Sequence, residues 1–252
     1  MSQIIEVAIP VPLYNTFDYI CNQEVSVGAR VKVPFGPKKV IGIVLSLKDR
    51  SEFGKLRAIE EVIDTEALLS KEILGFLFWS ANYYHHPVGE VLASALPKNL
   101  RLGKPAIIKK PTEINNAVTP RSFKPTSEQQ NAVNEVLKYE SSFHGFLLQG
   151  VTGSGKTEVY LNLTEQLIKD GKQVLVLVPE IGLTPQMIAR FEERINERVV
   201  AVHSQLNETQ KQDAYLLAKD GEAKVILGTR SAIFTPIPKL GLVIVDEEHD
   251  GS

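Results

Sequence analysis

Cysteine is almost absent from the sequence: of its 252 residues only Cys21 carries a thiol. A single thiol excludes an internal disulfide framework and any zinc site built from several cysteines. His85 and His86 are adjacent, and adjacent helical residues point to different faces. We therefore interpret the two histidines as residues at a helix end and not as a pair of metal ligands.

Long apolar runs and a strong charge imbalance are also missing. No stretch approaches the roughly 18 consecutive apolar residues that a membrane-spanning helix needs. The start, MSQIIEVAIP, lacks the basic and apolar regions of a signal peptide. The sequence thus predicts a cytoplasmic protein without a membrane partner. Its formal net charge of −2 argues against binding nucleic acid through overall charge, so any such binding needs a local patch.

The composition is that of a globular protein, with 43% hydrophobic and 23% charged residues, and the length suits one or two domains. Near the N-terminus, short segments rich in Val, Ile and aromatic residues predict the strands of a small barrel or sandwich. These segments lie near residues 3–9, 17–20, 29–34, 39–47 and 57–63. Ser70 is a predicted N-cap for a helix over 71–85, and a second helix is predicted from Pro87 to about Leu96.

Residues 97–124 differ from their surroundings. They contain four prolines, seven Lys or Arg residues and one acidic residue, Glu113, and they show little periodicity. Such a segment predicts a linker between domains. It is either a solvated tether or a basic segment that contacts DNA phosphates.

From Ser127 onward, helical and strand patterns alternate. The apolar runs VLVLV and LVIVD lack polar alternation, as is typical of strands covered by helices on both faces. The predicted fold class is therefore α/β with a parallel sheet. The predicted helices span 127–139, 156–170, 185–195 and 207–219, and the predicted strands span 145–149, 173–178, 198–202, 223–228 and 241–246.

The sequence GVTGSGKT, residues 150–157, fits the phosphate-binding pattern G-x-x-x-x-G-K-[ST]. A bound phosphate needs backbone N–H groups turned inward, which glycine permits, and the following helix N-terminus favours an anion. Lys156 is expected at the β- and γ-phosphates, and the Thr157 hydroxyl at Mg²⁺. The alternative is a glycine-rich turn without a ligand. The residues expected to bind the nucleotide are Gly150, Gly153, Ser154, Gly155, Lys156 and Thr157.

A second element, VIVDEEHD at residues 243–250, ends a predicted buried strand with acidic side chains. Ligands of open α/β sheets bind at this carboxyl edge. Asp246 is therefore expected to hold Mg²⁺, directly or through water, and Glu247 to polarise the attacking water. Three acidic residues after a strand are, taken alone, usually a solvated turn. The upstream phosphate-binding loop shifts the interpretation to metal binding and catalysis.

The segment PTSEQQ, residues 125–130, precedes that loop by one helix. Ser127 and Gln130 match a capping box, which leaves Gln129 on another face. A glutamine amide offers both the donor and the acceptor that an adenine edge requires. Gln129 is thus a candidate adenine contact.

Two further loops follow predicted strands. VPEIGLTPQ, residues 178–186, has Thr184 as a predicted N-cap and Pro185 at the first helical position. GTRSAIF, residues 228–234, contains Thr229 and Arg230, which suit contacts to a phosphodiester strand. Each segment is either loop architecture or a DNA contact.

Taken together, GVTGSGKT, VPEIGLTPQ, GTRSA and DEEHD resemble the first motor lobe of superfamily 2 helicases. VPEIGLTPQ with DEEHD resembles more narrowly the primosomal protein N′ family of replication-restart helicases. VPLYNTFDY, GARVKVPFG, IGIV and NYYHHPVGEVLASALP are similar to that family's domain for binding a 3′ DNA end. The resemblance implies a small β-rich DNA-binding domain with C-terminal helices over 1–103. It also implies an α/β, RecA-like P-loop lobe, incomplete here, over 125–252.

The resemblance also implies roles for single residues. It places a pocket for a DNA strand end at Phe17, Asp18, Tyr19, Gly36 and Arg57, and the adenine contact at Gln129. Independently of the family, residues 30–57 hold eight basic residues against two acidic ones. Such a patch suits DNA phosphates, and aromatic side chains beside it suit base stacking. Alternatively, Phe17 and Tyr19 are core residues of a strand, with Asp18 on the opposite face.

The function implied by the resemblance is that of an ATP-dependent 3′→5′ DNA helicase that assembles the primosome at stalled replication forks. ATP and Mg²⁺ are the implied cofactors, and zinc is expected only in the C-terminal part of such helicases. The implied partners are forked or single-stranded DNA with a 3′ end, replication-restart proteins and single-strand-binding protein.

The sequence departs from the family in two places. Only residues 104–124, predicted as a basic linker, stand where family members usually carry a winged-helix domain, and the chain stops shortly after DEEHD. These 252 residues alone are therefore expected to be inactive as an ATP hydrolase. Two alternatives stay open: a non-enzymatic module that binds DNA ends and ATP, and a P-loop ATPase that does not act on nucleic acid.

Overall fold

The computed structural model describes residues 2–109, 124–139, 142–151, 153–180 and 182–247. Its contacts divide the chain into two compact units, one of Met1–Lys109 with Asn207–Leu216 and one of Lys110–Leu206 with Leu217–Ser252. No helix in these described ranges is long and apolar enough to cross a membrane. Residues 110–123 of the predicted linker and residues 248–250 of the acidic element lie outside the described residues.

The first unit is built on a six-stranded sheet. Every neighbouring pair of strands is antiparallel except β2 with β5. The sheet has the order β5-β2-β1-β4-β3-β6 and is formed by β1 (Gln3–Ala8), β2 (Phe17–Cys21), β3 (Arg30–Phe35), β4 (Lys38–Lys48), β5 (Arg57–Ala58) and β6 (Glu61–Val62). The first four predicted strands are confirmed.

The fifth predicted strand, residues 57–63, is wrong as a single element, because the chain crosses between the two sheet edges within it. The backbone N–H of Ile59 donates to the Ile20 oxygen in β2 at 2.9 Å, and that of Glu60 donates to the Lys32 oxygen in β3 at 2.8 Å. The two edges of this sheet therefore approach each other, as in the predicted small barrel.

Three helices follow the sheet: α1 (Lys71–Tyr83), α2 (Val88–Ser94) and α3 (Lys98–Arg101). The Ser70 hydroxyl accepts from the Ile73 N–H, which confirms the predicted N-cap. Helix α1 ends two residues before its predicted end, because His85 has a φ of 49°, a left-handed conformation that a helix cannot continue. His85 and His86 are thus helix-end residues, as predicted.

A buried ion pair lies in the first unit. Arg30 is fully buried and donates to both carboxylate oxygens of Asp64, at 2.8 Å from Nε and 2.7 Å from Nη2. Its Nη1 donates to the main-chain oxygens of Leu100 and Lys104. The Arg30 side chain therefore connects β3 to the segment after β6 and to the C-terminal end of α3.

The second unit contains the predicted parallel sheet. Helices and strands alternate with bounds within two residues of those predicted, and the strand order is β10-β7-β9-β8. The elements in chain order are α4 (Ser127–Leu137), α5 (Lys156–Lys169), β7 (Gln173–Leu177), α6 (Pro185–Arg194), β8 (Val199–Val202), α7 (Glu208–Lys219), β9 (Val225–Gly228) and β10 (Leu240–Val245). Contacts assign the first part of α7, up to Leu216, to the first unit.

The strand predicted at 145–149 is wrong in this structure, since residues 143–150 form neither a strand nor a helix. A strand needs a neighbour that completes its hydrogen-bond ladder, and no described strand pairs with this segment. Phe146 and Leu147 are 46% and 79% exposed, and Leu148 alone of the predicted strand packs against the core.

Candidate functional site

The glycine-rich loop leads into α5 with a conformation that suits glycine. Gly153 and Gly155 have φ angles of 80° and 86°, in the left-handed region that strains residues with a Cβ. Gly155 is the N-cap of α5, so Lys156 and Thr157 form its first turn. Free amide groups there favour an anion. The loop therefore has the backbone that its sequence predicts.

An open cavity of about 600 Å³ lies beside this loop. Its walls come from the loop, the start of α5, one face of α6 and the end of β10. The lining residues are Val151, Gly153, Gly155, Lys156, Thr157, Glu158, Leu161, Arg190, Glu193, Arg194, Asp246 and Glu247. The structure thus brings the two predicted elements, the glycine-rich loop and the acidic strand end, to one cavity.

Lys156 connects these two elements. Its ammonium donates to the Gly150 oxygen at 3.0 Å and lies 3.7 Å from Glu247 Oε1. The cation expected at the phosphates is therefore paired with the carboxylate expected to activate water. Glu247 has a φ of 48°, which is uncommon for residues other than glycine and occurs often at functional sites.

Asp246 is held on two sides. Its backbone N–H donates to the Leu177 oxygen at the end of β7 at 2.8 Å, and its Oδ1 accepts from the Tyr160 hydroxyl at 2.9 Å. Burial raises the pKa of the Tyr160 phenol, and the charges of Asp246 and Glu247 raise it further. The phenol therefore remains protonated and donates. Sequence reasoning missed Tyr160, whose only signal is its position three residues after Thr157.

The oxygen atoms of this cavity fit a magnesium ion that arrives with phosphates. Thr157 contributes a hydroxyl and Asp246 a carboxylate, and Mg²⁺ prefers oxygen ligands while it keeps several waters. Among the described residues, no group of three or more His, Cys, Asp or Glu side chains could hold a metal by itself. The donor set therefore suits a metal shared with a nucleotide.

Gln129, the candidate adenine contact, caps its own helix. Gln129 Oε1 accepts from the Thr126 N–H at 2.9 Å, and the Thr126 hydroxyl accepts from the Gln129 N–H. The predicted capping box of Ser127 and Gln130 is therefore wrong by one residue, because Ser127 is already the first residue of α4. Gln129 Nε2 donates to the Gly155 oxygen at 3.4 Å, which links α4 to the glycine-rich loop.

Charged residues of α6 were not anticipated from the sequence. Arg194 donates from Nε to Glu165 Oε1 at 2.7 Å, and its Nη1 lies 3.7 Å from Glu158 Oε2. The hydrogen bond to Glu165 raises the pKa of Arg194. Arg190 lies one turn earlier on the cavity-lining face. The sequence signal that could have found these residues is the spacing of Arg190 and Arg194. They lie one helical turn apart in the helix that follows the predicted strand 173–178.

In the first unit, three residues of the expected DNA-end pocket meet at the turn between β3 and β4. The rings of Phe17 and Phe35 pack edge to face with centroids 5.2 Å apart, and Arg57 Nη1 donates to the Gly36 oxygen at 3.3 Å. Tyr19 pairs in register with Arg57 but is only 4% exposed. Burial raises the pKa of Tyr19, and the Arg57 charge partly offsets this rise. Tyr19 is thus a core residue.

Asp18 lies on the opposite face of β2, as strand alternation requires. Its carboxylate accepts from Lys48 Nζ at 2.9 Å and from the Ser51 hydroxyl at 2.6 Å, and its side chain is 6% exposed. The pKa of Lys48 is raised, and its hydrogen bond to Asp18 is the largest cause. The structure therefore does not bring Asp18 together with Phe17, Gly36 and Arg57.

The basic patch of residues 30–57 is smaller than its sequence suggests. Arg30, counted among its members, is fully buried against Asp64 and has no access to a ligand. Lys39 pairs with Glu60 at 2.8 Å. Lys38 and Arg57, near the turn that carries Gly36, are exposed, and so are Arg50 and Lys55 in the segment after β4.

Comparisons with known proteins give matches over both parts of the chain. Residues 6–97 match the 3′ DNA-binding domain model of PriA, and residues 126–252, half of the chain, match the DEAD/DEAH box helicase model. The sequence is 36% identical to the replication restart protein PriA of Haemophilus influenzae, with 99% of the chain aligned. The chain belongs to the PriA family of DEAD/DEAH box helicases.

Other PriA relatives agree. The Treponema pallidum protein is 34% identical over the whole chain, and the Synechocystis protein is 50% identical over half of it. The chain spans 45% of the length of the Haemophilus protein and 39% of the Treponema protein. Residues 98–125 lie between the two matched family models.

The two positions that the sequence GTRSAIF suggests for DNA contact differ in exposure. Thr229 is 8% exposed and precedes a short 3₁₀ helix, Arg230–Phe234, without a side-chain capping bond, whereas Arg230 is exposed. In the other loop, Thr184 caps α6 and Pro185 is at its start, which confirms the capping prediction. Of the two assigned positions, Arg230 therefore offers the accessible side chain.

Proposed function

We propose that this PriA-family chain binds Mg–ATP in the cavity between the glycine-rich loop and the end of β10. We further propose that the whole protein is a 3′→5′ DNA helicase of replication restart, assembling the primosome at stalled forks. The main support for the nucleotide site is that one cavity is lined by Lys156, Thr157, Asp246 and Glu247. Membership of the helicase family supports the wider function.

Each residue of the cavity has a proposed role. The backbone of Gly150, Gly153, Ser154 and Gly155 cradles the phosphates, and Lys156 supplies a positive charge at the β- and γ-phosphates. Thr157 and Asp246 hold Mg²⁺, which would neutralise phosphate charge when bound. Gln129 is assigned to the adenine edge, for which its amide must exchange the bond to the Gly155 oxygen.

The Lys156–Glu247 ion pair suggests how binding and chemistry are connected. When Lys156 turns to the phosphates, its ammonium leaves Glu247 Oε1, from which it lies 3.7 Å. The Glu247 carboxylate can then turn toward a water beside the γ-phosphate. Glu247 is then the base that orients the attacking water and receives its proton.

Replacing Lys156 with alanine is expected to weaken Mg–ATP binding by about tenfold to a hundredfold, the value of one hydrogen bond to a charged group. Titration of a fluorescent ATP analogue into both proteins measures the change. The Lys169→Ala variant, at the exposed C-terminal end of the same helix, is the matched control. Unchanged affinity in a folded Lys156→Ala protein would exclude the phosphate role.

We also propose that the first unit binds the 3′ end of a DNA strand at the surface formed by Phe17, Gly36 and Arg57. Phe17 offers a ring for stacking and Arg57 a charge for the backbone. Forked or single-stranded DNA with a 3′ end is the proposed partner. Replication-restart proteins and single-strand-binding protein are proposed partners on family membership alone. Thr229 and Arg230, in the second unit, are assigned to contacts with a phosphodiester strand.

Asp18 is assigned to the preference for a terminal hydroxyl, since a carboxylate accepts from a hydroxyl and repels a phosphate. In the structure it must exchange a bond from Lys48 or Ser51 to do so. Asp18→Ala is expected to reduce discrimination between 3′-hydroxyl and 3′-phosphate forks more than total DNA binding. Titrations with both forks measure this.

The double variant Lys38→Ala, Lys39→Ala is the matched comparison. It removes exposed positive charge beside the turn between β3 and β4, near Gly36, and leaves Asp18 in place. It should lower affinity for both forks equally and reduce the salt dependence of binding. If Asp18 only anchors β2 through Lys48 and Ser51, Asp18→Ala will lower the melting temperature and leave discrimination intact. That result would remove Asp18 from the DNA site.

A further inference from the structure

Tyr160 makes a contact that packing alone does not require. Its side chain is 8% exposed, and its ring belongs to the same buried cluster as Val176 and Ile244. In contrast to the ring, the hydroxyl makes a polar contact: it donates to Asp246 Oδ1 at 2.9 Å. A phenylalanine would fill the same space, so the ring accounts for the packing and the oxygen serves the carboxylate.

The position of Tyr160 on α5 places it beside the residues expected to hold Mg–ATP. It follows Thr157 by three residues, and residues at this spacing share one helix face. The same helix begins with Lys156. A single rigid helix therefore carries the ammonium and hydroxyl at its start and, one turn later, the phenol that reaches the end of β10.

The Asp246 carboxylate has one oxygen engaged by this phenol. Its main chain is fixed by the hydrogen bond to the Leu177 oxygen, but rotation about χ2 of an aspartate is soft. The phenol restricts that rotation. Asp246 also lines the cavity beside the glycine-rich loop, so its other oxygen, Oδ2, is the one proposed for Mg²⁺.

We propose that Tyr160 is a positioning residue that orients the Asp246 carboxylate toward Mg²⁺ and couples it to the nucleotide-binding loop through α5. The inference rests on the proposed Mg–ATP site and adds a residue to it. Tyr160 itself touches neither nucleotide nor metal. Its effect must therefore appear in the dependence of nucleotide binding on Mg²⁺ and not in binding of the nucleotide alone.

The test is a Tyr160→Phe variant, titrated with a fluorescent ADP analogue at a series of free Mg²⁺ concentrations and in EDTA. We expect the Mg²⁺ concentration for half-maximal gain in ADP affinity to rise about three- to tenfold, as loss of one hydrogen bond implies. Affinity in EDTA should stay at the wild-type value, because the glycine-rich loop is intact.

Tyr215→Phe is the matched control. Tyr215 is 4% exposed, and its hydroxyl has no hydrogen-bond partner in the described part of the chain. Removing that oxygen should leave the Mg²⁺ dependence unchanged. A second control uses the Asp246→Ala background, in which Tyr160→Phe should have no further effect, since the two residues act through one contact.

Several results would overturn the inference. These are a wild-type Mg²⁺ dependence in Tyr160→Phe, an equal loss of affinity in Mg²⁺ and EDTA, an equal effect of Tyr215→Phe, or failure of Tyr160→Phe to fold in a thermal melt. Failure of the wild-type chain to bind ADP with Mg²⁺ would instead reject the proposed nucleotide site. The two failures are therefore distinguishable.

Discussion

ATP hydrolysis by residues 1–252 alone is expected to be slower than that of a full-length PriA relative by a factor of about 10³–10⁵, the contribution of a transition-state arginine. Of the arginines that line the cavity, Arg194 is held by Glu165 and Glu158. The helicase resemblance places the catalytic arginine in a second motor lobe. Glu247, the proposed base, cannot replace that positive charge.

Single-turnover hydrolysis measures this difference, with labelled ATP and forked DNA, beside the Haemophilus influenzae protein, of which the chain spans 45%. Nucleotide binding by the same preparation is the control, so that a slow rate is not mistaken for an empty site. Robust DNA-stimulated turnover by the 252 residues would contradict the two-lobe account. In that case an Arg190→Ala variant would test whether the chain supplies its own arginine.

Loss of the Arg30 side chain is expected to lower the free energy of unfolding of the first unit by about 3–5 kcal/mol, because it leaves a buried carboxylate without its partner. Asp64 is 8% exposed and accepts from three Arg30 donors, including the backbone N–H. Arg30→Ala also removes the donor to the main-chain oxygens of Leu100 and Lys104.

Urea unfolding followed by tryptophan fluorescence measures this change directly, since Trp79 is the single tryptophan and lies in the first unit. The exposed Lys38→Ala variant is the control and should change the unfolding free energy by less than about 0.5 kcal/mol. A loss below about 1 kcal/mol in Arg30→Ala would show that water or a rearranged side chain satisfies Asp64.

The residues of the proposed nucleotide site are predictable because their signals are local. The spacing of GVTGSGKT identifies the loop, and an apolar run ending in acidic residues identifies the strand end. Parallel strands place their carboxyl ends along one edge of the sheet, where the sequence places Asp246. In the structure Lys156 and Asp246 line one cavity.

Contacts between distant residues left no such signal. Tyr160 and Asp246 are 86 positions apart, and Arg30 and Asp64 are 34 apart. In the sequence Arg30 counted as a member of a basic surface patch, because charge alone does not report burial. The resemblance groups Asp18 with Phe17, although the alternation of a strand separates their side chains.

Two errors were of a different kind. In PTSEQQ the capping pattern fits at Thr126 with Gln129 and equally at Ser127 with Gln130, so only the first helical residue decides between them. The apolar segment 145–149 has the composition of a strand, but strand formation depends on a neighbour. The composition of this segment therefore indicates a tendency to form a strand, but it does not report whether a neighbouring strand is present.

A crystal structure of the chain grown with Mg–ADP would show whether the glycine-rich loop and the end of β10 form a Mg–ATP site. We expect the β-phosphate within hydrogen-bonding distance of the loop amides and of Lys156, and Mg²⁺ bound by the Thr157 hydroxyl, with Asp246 contacting it directly or through water. Nucleotide bound elsewhere, or phosphates that do not contact the loop, would contradict the account.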